Sequence, residues 1–319
     1  GALDLTNIKE LMKRLGNPQD QLKYVHVAGT NGKGSVIAYL YTTLSEAGYR
    51  VGRYISPSVY SYREKMEVAG SAVSREQFAG YVTRVAAAIK EMTTEGLAHP
   101  TPFEIETAVA FLFFAEEKCD LVILEVGMGG DLDATNIIKN TVLAVLVPIS
   151  MDHQAFLGNT LAEITQKKAG IIKPGCSVVT VGQRPETMEV IREVCREKGA
   201  DLTETDLSSA KAVKEDFAGQ TLEYRGETYE LSLAGSYQTE NAALALDALE
   251  VLNHKGYPTT VEQRKKGLRE TKWNGRLTII HRDPLFIVDG AHNPAAADML
   301  EDSVRKYFKG RKMYFIMGV

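Results

Sequence analysis

The sequence predicts an α/β fold: a mostly parallel, doubly wound sheet with a smaller C-terminal α/β domain added to it. The first observation is that apolar runs of strand length alternate with amphipathic helical stretches, which is the βαβ order of a parallel sheet. The second is that several of these runs are apolar throughout, as in strands covered on both faces. The third is the length of 319 residues, which favours two domains.

The first elements follow from apolar runs and helix-capping signals. A strand is predicted over residues 24–29, a helix over 36–48 and a second strand over 49–56. Ser74 and Thr101 each precede a helix, since Gln or Glu follows three residues later in the capping-box pattern. The helix after Thr101 also begins with a proline, which favours the first helical position.

The central part of the chain continues the alternation of strands and helices. Residues 120–127 and 141–150 are apolar runs typical of buried parallel strands. Thr160 begins the next helix with another capping box. A strand over 176–182 and a helix over 185–198 complete the series.

After residue 203 the chain becomes more polar and its pattern changes. Residues 219–234 predict a small antiparallel hairpin that turns at Arg225-Gly226, and helices are predicted over 237–253 and 259–270. We assign residues 1–273 to one domain, with this hairpin as a subsidiary part of it.

A new series of strands and a helix begins at residue 274 and forms the second predicted domain, 274–319. It contains two apolar strands, a helix over 294–306 and a last apolar strand, "MYFIMGV", at 313–319. A sheet of so few strands leaves an open edge, so we expect 274–319 to be the start of a domain and not the whole of one.

Composition excludes some classes of partner. Hydrophobic residues make up 44% and charged residues 24%, and the net charge of −4 argues against a nucleic-acid-binding surface. No apolar run reaches the ~18 residues of a membrane helix. Three scattered cysteines suit a reducing compartment. We therefore expect a cytoplasmic monomer without membrane or nucleic-acid partners.

A glycine-rich loop lies between the first strand and the first long helix after it, where a phosphate-binding loop is required. It reads Gly29-Thr30-Asn31-Gly32-Lys33-Gly34-Ser35. Its glycines allow backbone N–H groups to approach phosphate oxygens, and the helix N-terminus adds partial positive charge. Lys33 would reach the β- and γ-phosphates, and Ser35 or Thr30 would hold Mg²⁺. The spacing departs from G-x-x-x-x-G-K-[ST] by an extra glycine between Lys33 and Ser35.

Two strand ends carry further candidates. Glu125 ends a buried strand next to a glycine-rich turn, where a carboxylate suits a hard cation. His153 follows Asp152 at the end of the next strand. Each also suits a structural role: a strand-end glutamate facing solvent, and a histidine serving the fold. The lysines that follow, Lys167 and Lys168 among them, are by themselves typical of a solvated face.

The second half has three polar clusters of the same ambiguous kind. Gln238 and Asn241 stand at the start of a helix and suit either a ligand or a polar first turn. Arg276 follows the domain boundary, where an arginine can bind phosphate. Asp289 and His292 lie in a turn before a helix, which by itself indicates a capped helix start.

Taken in order, these motifs resemble the folylpolyglutamate synthase family, with its bifunctional dihydrofolate synthase relatives, in the Mur ligase superfamily. The resemblance runs from about residue 3 to the end of the sequence and rests on "AGTNGKGS", "EVGMGGDLDATN", "KAGIIKPG", "GRL" and "DGAHNP". The glycine between lysine and serine is that family's own form of the phosphate loop.

The resemblance implies an ATP-dependent amide ligase. ATP would phosphorylate the carboxyl group of a folate or dihydropteroate, and the L-glutamate amine would attack the acyl phosphate, giving an amide, ADP and phosphate. Mg²⁺ at one or two sites would assist, and Lys168 would be carbamylated. The implied metal ligands are Ser56, Glu125 and His153. Lys33, Lys168, His153 and His292 would be catalytic, and ATP would contact the loop from Gly29 to Ser35 together with Gln238, Asn241, Arg276 and Asp289.

Several positions depart from the family's usual pattern. Ser58 replaces the histidine of "SPH", Asp131 replaces the arginine of "GGRLDATN", Asn274 replaces the proline before "GR", and "ERI" has become Glu64-Lys65-Met66. Lys167-Lys168 replaces a Glu-Lys pair. Two alternatives therefore stay open: another Mur-type amino-acid ligase, which the "DATN" and "KAGIIKPG" motifs disfavour, and a nucleotide-binding protein without ligase activity.

Overall fold

A computed structural model describes residues 4–217 and 219–318. The helices are α1 (Thr6–Arg14), α2 (Lys33–Glu46), α3 (Arg75–Thr94), α4 (Pro102–Glu116), α5 (Gln154–Leu157), α6 (Leu161–Ala169), α7 (Pro185–Lys198), α8 (Gln238–His254), α9 (Val261–Glu270) and α10 (Pro294–Tyr307). The strands are β1 (Tyr24–Ala28), β2 (Val51–Tyr54), β3 (Met66–Val68), β4 (Ser71–Ala72), β5 (Leu121–Glu125), β6 (Thr141–Leu146), β7 (Ser177–Val181), β8 (Asp201–Thr205), β9 (Lys211–Asp216), β10 (Gly219–Tyr224), β11 (Glu227–Leu231), β12 (Thr278–Arg282) and β13 (Leu285–Val288).

The main sheet has the strand order β4-β3-β2-β5-β1-β6-β7-β8. All neighbouring pairs from β2 to β8 in this order are parallel, and at one edge β3 pairs antiparallel with both β2 and β4. The predicted doubly wound, mostly parallel sheet is therefore confirmed. The predicted capping boxes at Ser74, Thr101 and Thr160 are also present, each with both reciprocal hydrogen bonds.

Helices cover both faces of this sheet. Alternate residues of β1 point to opposite faces, so Val25 and Val27 pack in the cluster that includes α2 and α8, while Tyr24 packs with α1, α3 and α4. The other end of the second face is covered by α7 and the segment after α6. Because both faces are dry, the central strands had to be apolar throughout, which is why their sequence showed no alternation.

This topology brings several loops together at one edge of the sheet. The strands β5 and β6 lie on either side of β1, and all three are parallel, so the loops after their C-terminal ends are neighbours. Such an edge, where the strand order reverses, is where ligands bind in open α/β sheets. The glycine-rich loop, Glu125 and the segment with His153 all follow these three strands.

Some pairing partners differ from the sequence prediction. Strand β8, where the sequence becomes more polar, was not predicted, and it extends the parallel sheet. Strands β3 and β4 were not predicted either. The hairpin at 219–234 is confirmed, but β9 adds a third strand to it. These strands are short or polar, so the apolar periodicity that predicted the other strands is absent from them.

The C-terminal segment is simpler than predicted. β12 and β13 form an antiparallel pair, and α10 follows close to its predicted bounds. The predicted strand at 313–319 is wrong where the structure describes it, since residues 311–318 form neither strand nor helix. Its Val319 lies outside the described residues. An apolar run alone does not make a strand, because strand hydrogen bonds need a neighbouring chain.

This segment packs against the rest of the protein at two places distant in sequence. Phe217, beside the β9–β10 turn, contacts the rings of Tyr307 and Phe308 at the end of α10. Ser303 of the same helix is fully buried and accepts a hydrogen bond from the Ser236 amide. Helix α10 is therefore held close to the start of α8.

Among residues 4–217 and 219–318, we find no helix with the length and apolar character needed to cross a membrane.

Candidate active site

The glycine-rich loop turns sharply between β1 and α2. Gly29 and Gly32 have φ angles of 139° and 101°, in the region that favours glycine. A Cβ atom on Gly29 would lie 2.6 Å from the Val147 carbonyl oxygen, and one on Gly32 would lie 2.5 Å from Oδ1 of Asn241. The fold of the loop itself therefore requires glycine at these two positions.

The loop ends in the first turn of α2, whose N–H groups have no acceptor within the helix. Lys33 is the first residue of this helix, and its Nζ lies 3.3 Å from the carbonyl oxygens of both Gly29 and Thr30. Its ammonium group is therefore held over the loop, where a negatively charged phosphate would bind.

Glu125 lies opposite Lys33 at the end of β5. Its Oε1 is 4.0 Å from Nζ of Lys33, and its Oε2 accepts a hydrogen bond of 3.1 Å from the Ser56 amide. The residue is only 6% exposed, and this burial raises the pKa of its carboxyl group, while Lys33 acts in the opposite direction. A buried carboxylate in this position is stabilised by any further cation that binds in the site.

A pocket opens between the loop and the C-terminal segment. Nine of the predicted site residues line it: Thr30, Asn31, Gly32, Lys33, Gly34, Ser35, Glu125, Arg276 and Asp289. Four residues that the sequence did not indicate complete the lining, Tyr237 and the α10 residues Ala296, Met299 and Leu300. The loop thus contributes charged and polar groups to the lining and α10 contributes apolar ones, a combination that suits a nucleotide with its phosphates and flat base.

Gln238 and Asn241 are brought to the loop but do not line this pocket. Both are buried: Nε2 of Gln238 donates to Oγ of Ser35 at 3.1 Å, and Nδ2 of Asn241 donates to Oε1 of Gln238. In this structure they support the loop from the side of α8. Their predicted direct contact with the nucleotide stays a prediction.

Arg276 and Asp289 bring the C-terminal segment to the pocket. Asp289 accepts hydrogen bonds from the amides of Leu277 and Ala291, so it also ties the start of β12 to the turn after β13. Asn293, the N-cap of α10, exchanges side-chain hydrogen bonds of 3.2 Å with Asn31 of the loop. Asn293 was not among the predicted site residues, and its partner Asn31 lies 262 residues away in the sequence.

His292 and His153 are not brought to the pocket. His292 is exposed, and its Nδ1 lies 2.8 Å from the Gly290 carbonyl. The His153 side chain is 46% exposed, and its Nε2 lies 3.7 Å from Asp152. Among the described residues, no three His, Cys, Asp or Glu side chains are grouped so that they could hold a metal ion. Of the predicted metal ligands, Ser56 and Glu125 are in contact, through the Ser56 amide and the Glu125 carboxylate.

Lys168 is the most unusual cation near the loop. It is 4% exposed, and its Nζ donates to the Gly29 carbonyl at 2.9 Å. Burial, with a smaller contribution from Lys33, lowers the pKa of this amine to about 7. A much larger fraction of this amine is therefore neutral at pH 7 than of an exposed lysine. The solvated-face interpretation fails for this lysine.

The turn after Glu125 holds the helix that carries Lys168. The Asp131 amide donates to the Lys167 carbonyl, and the carboxylate of Asp131 lies 3.1 Å from Nζ of Lys167. Nδ2 of Asn136 bridges the carbonyls of Asp131 and Gly170. Asp131 and Lys167 both depart from the usual family pattern, which has an arginine and a glutamate at these positions. The two departures compensate each other, because the residues form an ion pair in which acid and base have exchanged places.

A buried polar chain supports this turn from below. Nε2 of His26, fully buried in β1, lies 2.8 Å from Oγ1 of Thr135. Thr135 donates to Asp133 at 2.5 Å, and Asp133 accepts the amides of Gly127 and Met128. Because the Thr135 proton goes to Asp133, the histidine must be the donor at Nε2. This chain could not be predicted from the sequence, because a histidine inside an apolar strand gives no sign of its partner.

His26 should make the protein less stable in acid. Burial lowers the pKa of His26 to about 3 from an ordinary value of 6.5, so between these values the unfolded chain binds a proton that the folded chain does not. Stability from this group is complete above pH 6.5 and is lost as the pH falls below it. We expect it to contribute about 1.4 kcal/mol to the loss of unfolding free energy between pH 7.5 and 5.5.

Urea denaturation of the wild type and of His26→Gln at both pH values measures this contribution. For each protein, the free energy of unfolding at pH 5.5 is subtracted from that at pH 7.5, and the two differences are compared. Any pH-independent cost of the substitution therefore cancels. An equal change in both proteins would show that His26 is protonated in the folded state.

Comparison with known proteins agrees with this geometry. The sequence profile of the Mur ligase middle domain matches residues 27–249. The dihydrofolate synthase/folylpolyglutamate synthase of Bacillus subtilis is 37% identical over 98% of this chain and 75% of that protein. The folylpolyglutamate synthase of Lacticaseibacillus casei is 33% identical, covering 96% of this chain and 73% of that one.

Solved structures show the same relationship. A complex of FPGS, folylpolyglutamate synthase, with AMPPCP and folate has a TM-score of 0.89 and 33% identity over 96% of this chain and 76% of that chain. The Thermotoga maritima folylpolyglutamate synthase has a TM-score of 0.87 and 35% identity, covering 96% and 72%. With the loop, the strand-end glutamate and the buried lysine in place, this chain belongs to the folylpolyglutamate synthase and dihydrofolate synthase family of Mur ligases.

Proposed function

We propose that this chain catalyses the reaction of its family, the ATP-dependent ligation of L-glutamate to the carboxyl group of a folate. The observation that carries the proposal is the pairing of Lys33 with buried Glu125, 4.0 Å apart, at the mouth of the glycine-rich loop. Relatives of known structure bind AMPPCP and folate together. The reaction passes through an acyl phosphate and releases ADP and phosphate.

The chemical difficulty of this reaction is charge repulsion. A triphosphate must approach a carboxylate, and the γ-phosphoryl group must then pass to an anionic oxygen. Lys33 and the amides of the first turn of α2 would neutralise the phosphates from one side. Arg276, which lines the same pocket from the C-terminal segment, would do so from the other. L-glutamate would then attack the activated carbonyl carbon and displace phosphate.

The residues at the pocket fit a magnesium ion bound together with ATP. Mg²⁺ is usually held by one or two carboxylates plus substrate phosphates and water, so it does not need three protein ligands. Glu125 would supply the carboxylate, and Ser56, whose backbone amide donates to that carboxylate, would supply a hydroxyl oxygen. His153, partly exposed after β6, would complete the set that the family resemblance implies. The ion would supply further neutralisation of phosphate charge.

Lys168 meets the chemical requirement for carbamylation. A neutral amine attacks carbon dioxide, forms a C–N bond and releases one proton, so a lysine must be deprotonated to react. Because its pKa is about 7, Lys168 is much more often neutral than an exposed lysine. We propose that Lys168 is carbamylated, which would convert a buried cation into an anion next to Lys33.

The segment that begins at residue 274 would close over ATP. Arg276 and Asp289 already line the pocket, and Asn293 is bonded to Asn31. His292 would reach the nucleotide only after a further movement of its turn, since it is exposed and bonded to Gly290 here. Closure of this kind excludes water from the acyl phosphate.

An ADP-release assay on the purified chain tests the proposal. We expect release to require ATP, L-glutamate and either tetrahydrofolate or dihydropteroate, with the two pterins run side by side. Release that is insensitive to glutamate would contradict ligase activity. ATP binding without turnover on any substrate would instead favour a nucleotide-binding protein that has lost the activity.

A further inference from the structure

Gly34, the extra glycine of the loop, stands at a position where the backbone conformation does not require glycine. It is the second residue of α2, and its φ angle is not among the left-handed ones. Alanine would fit this backbone and would favour the helix by about 0.5–1 kcal/mol over glycine. Something other than backbone conformation must therefore exclude a side chain here.

The excluding group is the indole of Trp273. A Cβ atom on Gly34 would lie 2.6 Å from Cε2 and 2.9 Å from Nε1 of that ring, and closer still to Cζ2. Its three nearest atoms all belong to Trp273. A real Cβ does not come this close, and a flat ring packed at a helix is not the flexible end of a side chain. The ring thus rests directly on the backbone of the phosphate loop.

The same ring is held from another direction. The guanidinium carbon of Arg53 lies 5.6 Å from the Trp273 ring centroid and 4.8 Å from that of Tyr41. Arg53 is in turn ion-paired with Glu67. The indole therefore lies between the first turn of α2 and a cation anchored on β2 and β3, and it also packs against the main core.

Trp273 is close in sequence to a residue of the ATP pocket. It lies in the connection between α9 and β12, three residues before Arg276, which lines the ATP pocket. Where the indole rests therefore decides where this connection leaves the first domain and where Arg276 meets the phosphates bound over Lys33.

We infer that Trp273 is a positioning residue: by resting on Gly34 it sets Arg276 relative to Lys33, and Gly34 is glycine to make room for it. This rests on the proposed ATP site but concerns the geometry of nucleotide binding, which is measured without folate or glutamate. The alternative is that Gly34 serves only the approach of a phosphate to the backbone.

A double-mutant cycle on Gly34→Ala and Trp273→Ala separates the two explanations. We expect Gly34→Ala to weaken ATP binding and kcat/KM for ATP by about 100-fold in the wild type, the loss typical of a misplacement near 1 Å. In the Trp273→Ala background the added methyl group has room, so Gly34→Ala should lower ATP binding and kcat/KM by less than about twofold. A difference of that size is within the deviation from additivity seen for mutations at independent sites. Equal losses in both backgrounds would overturn the inference.

The cycle has a direct optical readout because Trp273 is the only tryptophan of the chain. Its fluorescence should respond to titration with ATP or AMPPCP in the wild type, and Gly34→Ala should change its emission before any nucleotide is added. If neither the nucleotide nor the Gly34→Ala substitution changes the emission of Trp273, the inference is overturned. Trp273→Phe, which keeps a flat ring, should recover part of the activity lost in Trp273→Ala; no recovery would count against positioning.

Melting temperatures keep the test decisive if a variant folds poorly. If Gly34→Ala is unstable, adding Trp273→Ala should restore its melting temperature, since the clash is removed. Failure to restore it would overturn the inference. Coupling seen in ATP binding while ligase turnover is absent would leave the inference standing and remove the proposed function.

Discussion

Replacing Lys33 by alanine is expected to lower kcat by about 10³-fold, the upper range for loss of one preorganised charge donor. Lys33 lies over the loop within 3.3 Å of two carbonyl oxygens, and it is the cation next to Glu125. Without it, the triphosphate is less well neutralised. The pKa of Lys168 should also rise, because Lys33 contributes to lowering it.

The fold should survive this change. The hydrogen bonds and ion pair of Lys33 are polar contacts with Gly29, Thr30 and Glu125, and the Glu125 carboxyl group left behind can take up a proton, since burial already raises its pKa. We therefore expect the melting temperature of Lys33→Ala to fall by no more than a few degrees. Lys265→Ala, which removes a surface lysine paired with Glu227, is the matched control and should keep full turnover. A large loss of stability in Lys33→Ala would show that the residue is structural.

Replacing Lys168 by methionine is expected to lower turnover by about 10²-fold or more while leaving stability unchanged or raised. The amine is buried with a single hydrogen bond described, to Gly29, so its removal relieves a desolvation cost. The functional loss follows from the absence of the carbamate, whose charge would order the site. Turnover and urea denaturation of the two proteins measure both effects.

Labelling with ¹³C-bicarbonate tests the modification itself. The wild type should show a protein-bound carbamate carbon by NMR at pH 8, where the amine is mostly neutral, and less of it at pH 6, where it is protonated. Lys168→Met should lack this signal. Lys167→Met, changed at the neighbouring residue of the same helix, should keep it. A wild type without the signal at pH 8 would contradict carbamylation.

The parts of the fold that sequence predicted well depend on local physics. The capping boxes at Ser74, Thr101 and Thr160 each satisfy helix amides within four residues, so their signal is complete in a short window. The apolar strands of the sheet centre were visible because burial on two faces imposes composition on every residue. Strand β8 and the strands at the opposite edge carry no such demand and were missed.

The candidate site also contains residues that could be predicted from local sequence and residues that could not. The loop, Glu125 and Arg276 were predictable because phosphate chemistry requires particular residue types at strand and helix ends. The place of Tyr237 in the pocket lining and the contact of Asn293 with Asn31 were not predicted, since each residue lies in a helix-start sequence that satisfies a simpler explanation. The compensation of Asp131 by Lys167 could not be seen either, because the two residues are 36 positions apart.

Local sequence was thus enough to determine the class of fold, the place of the glycine-rich loop and, through ordered motifs, the ligase family. The folded chain alone decided how these pieces act on one another. It buried Lys168 so that its pKa falls, placed Trp273 on Gly34, and gave His26 a partner in Thr135. The reason is physical: desolvation, packing and hydrogen bonding depend on what surrounds a group in space, and neighbours in space are seldom neighbours along the chain.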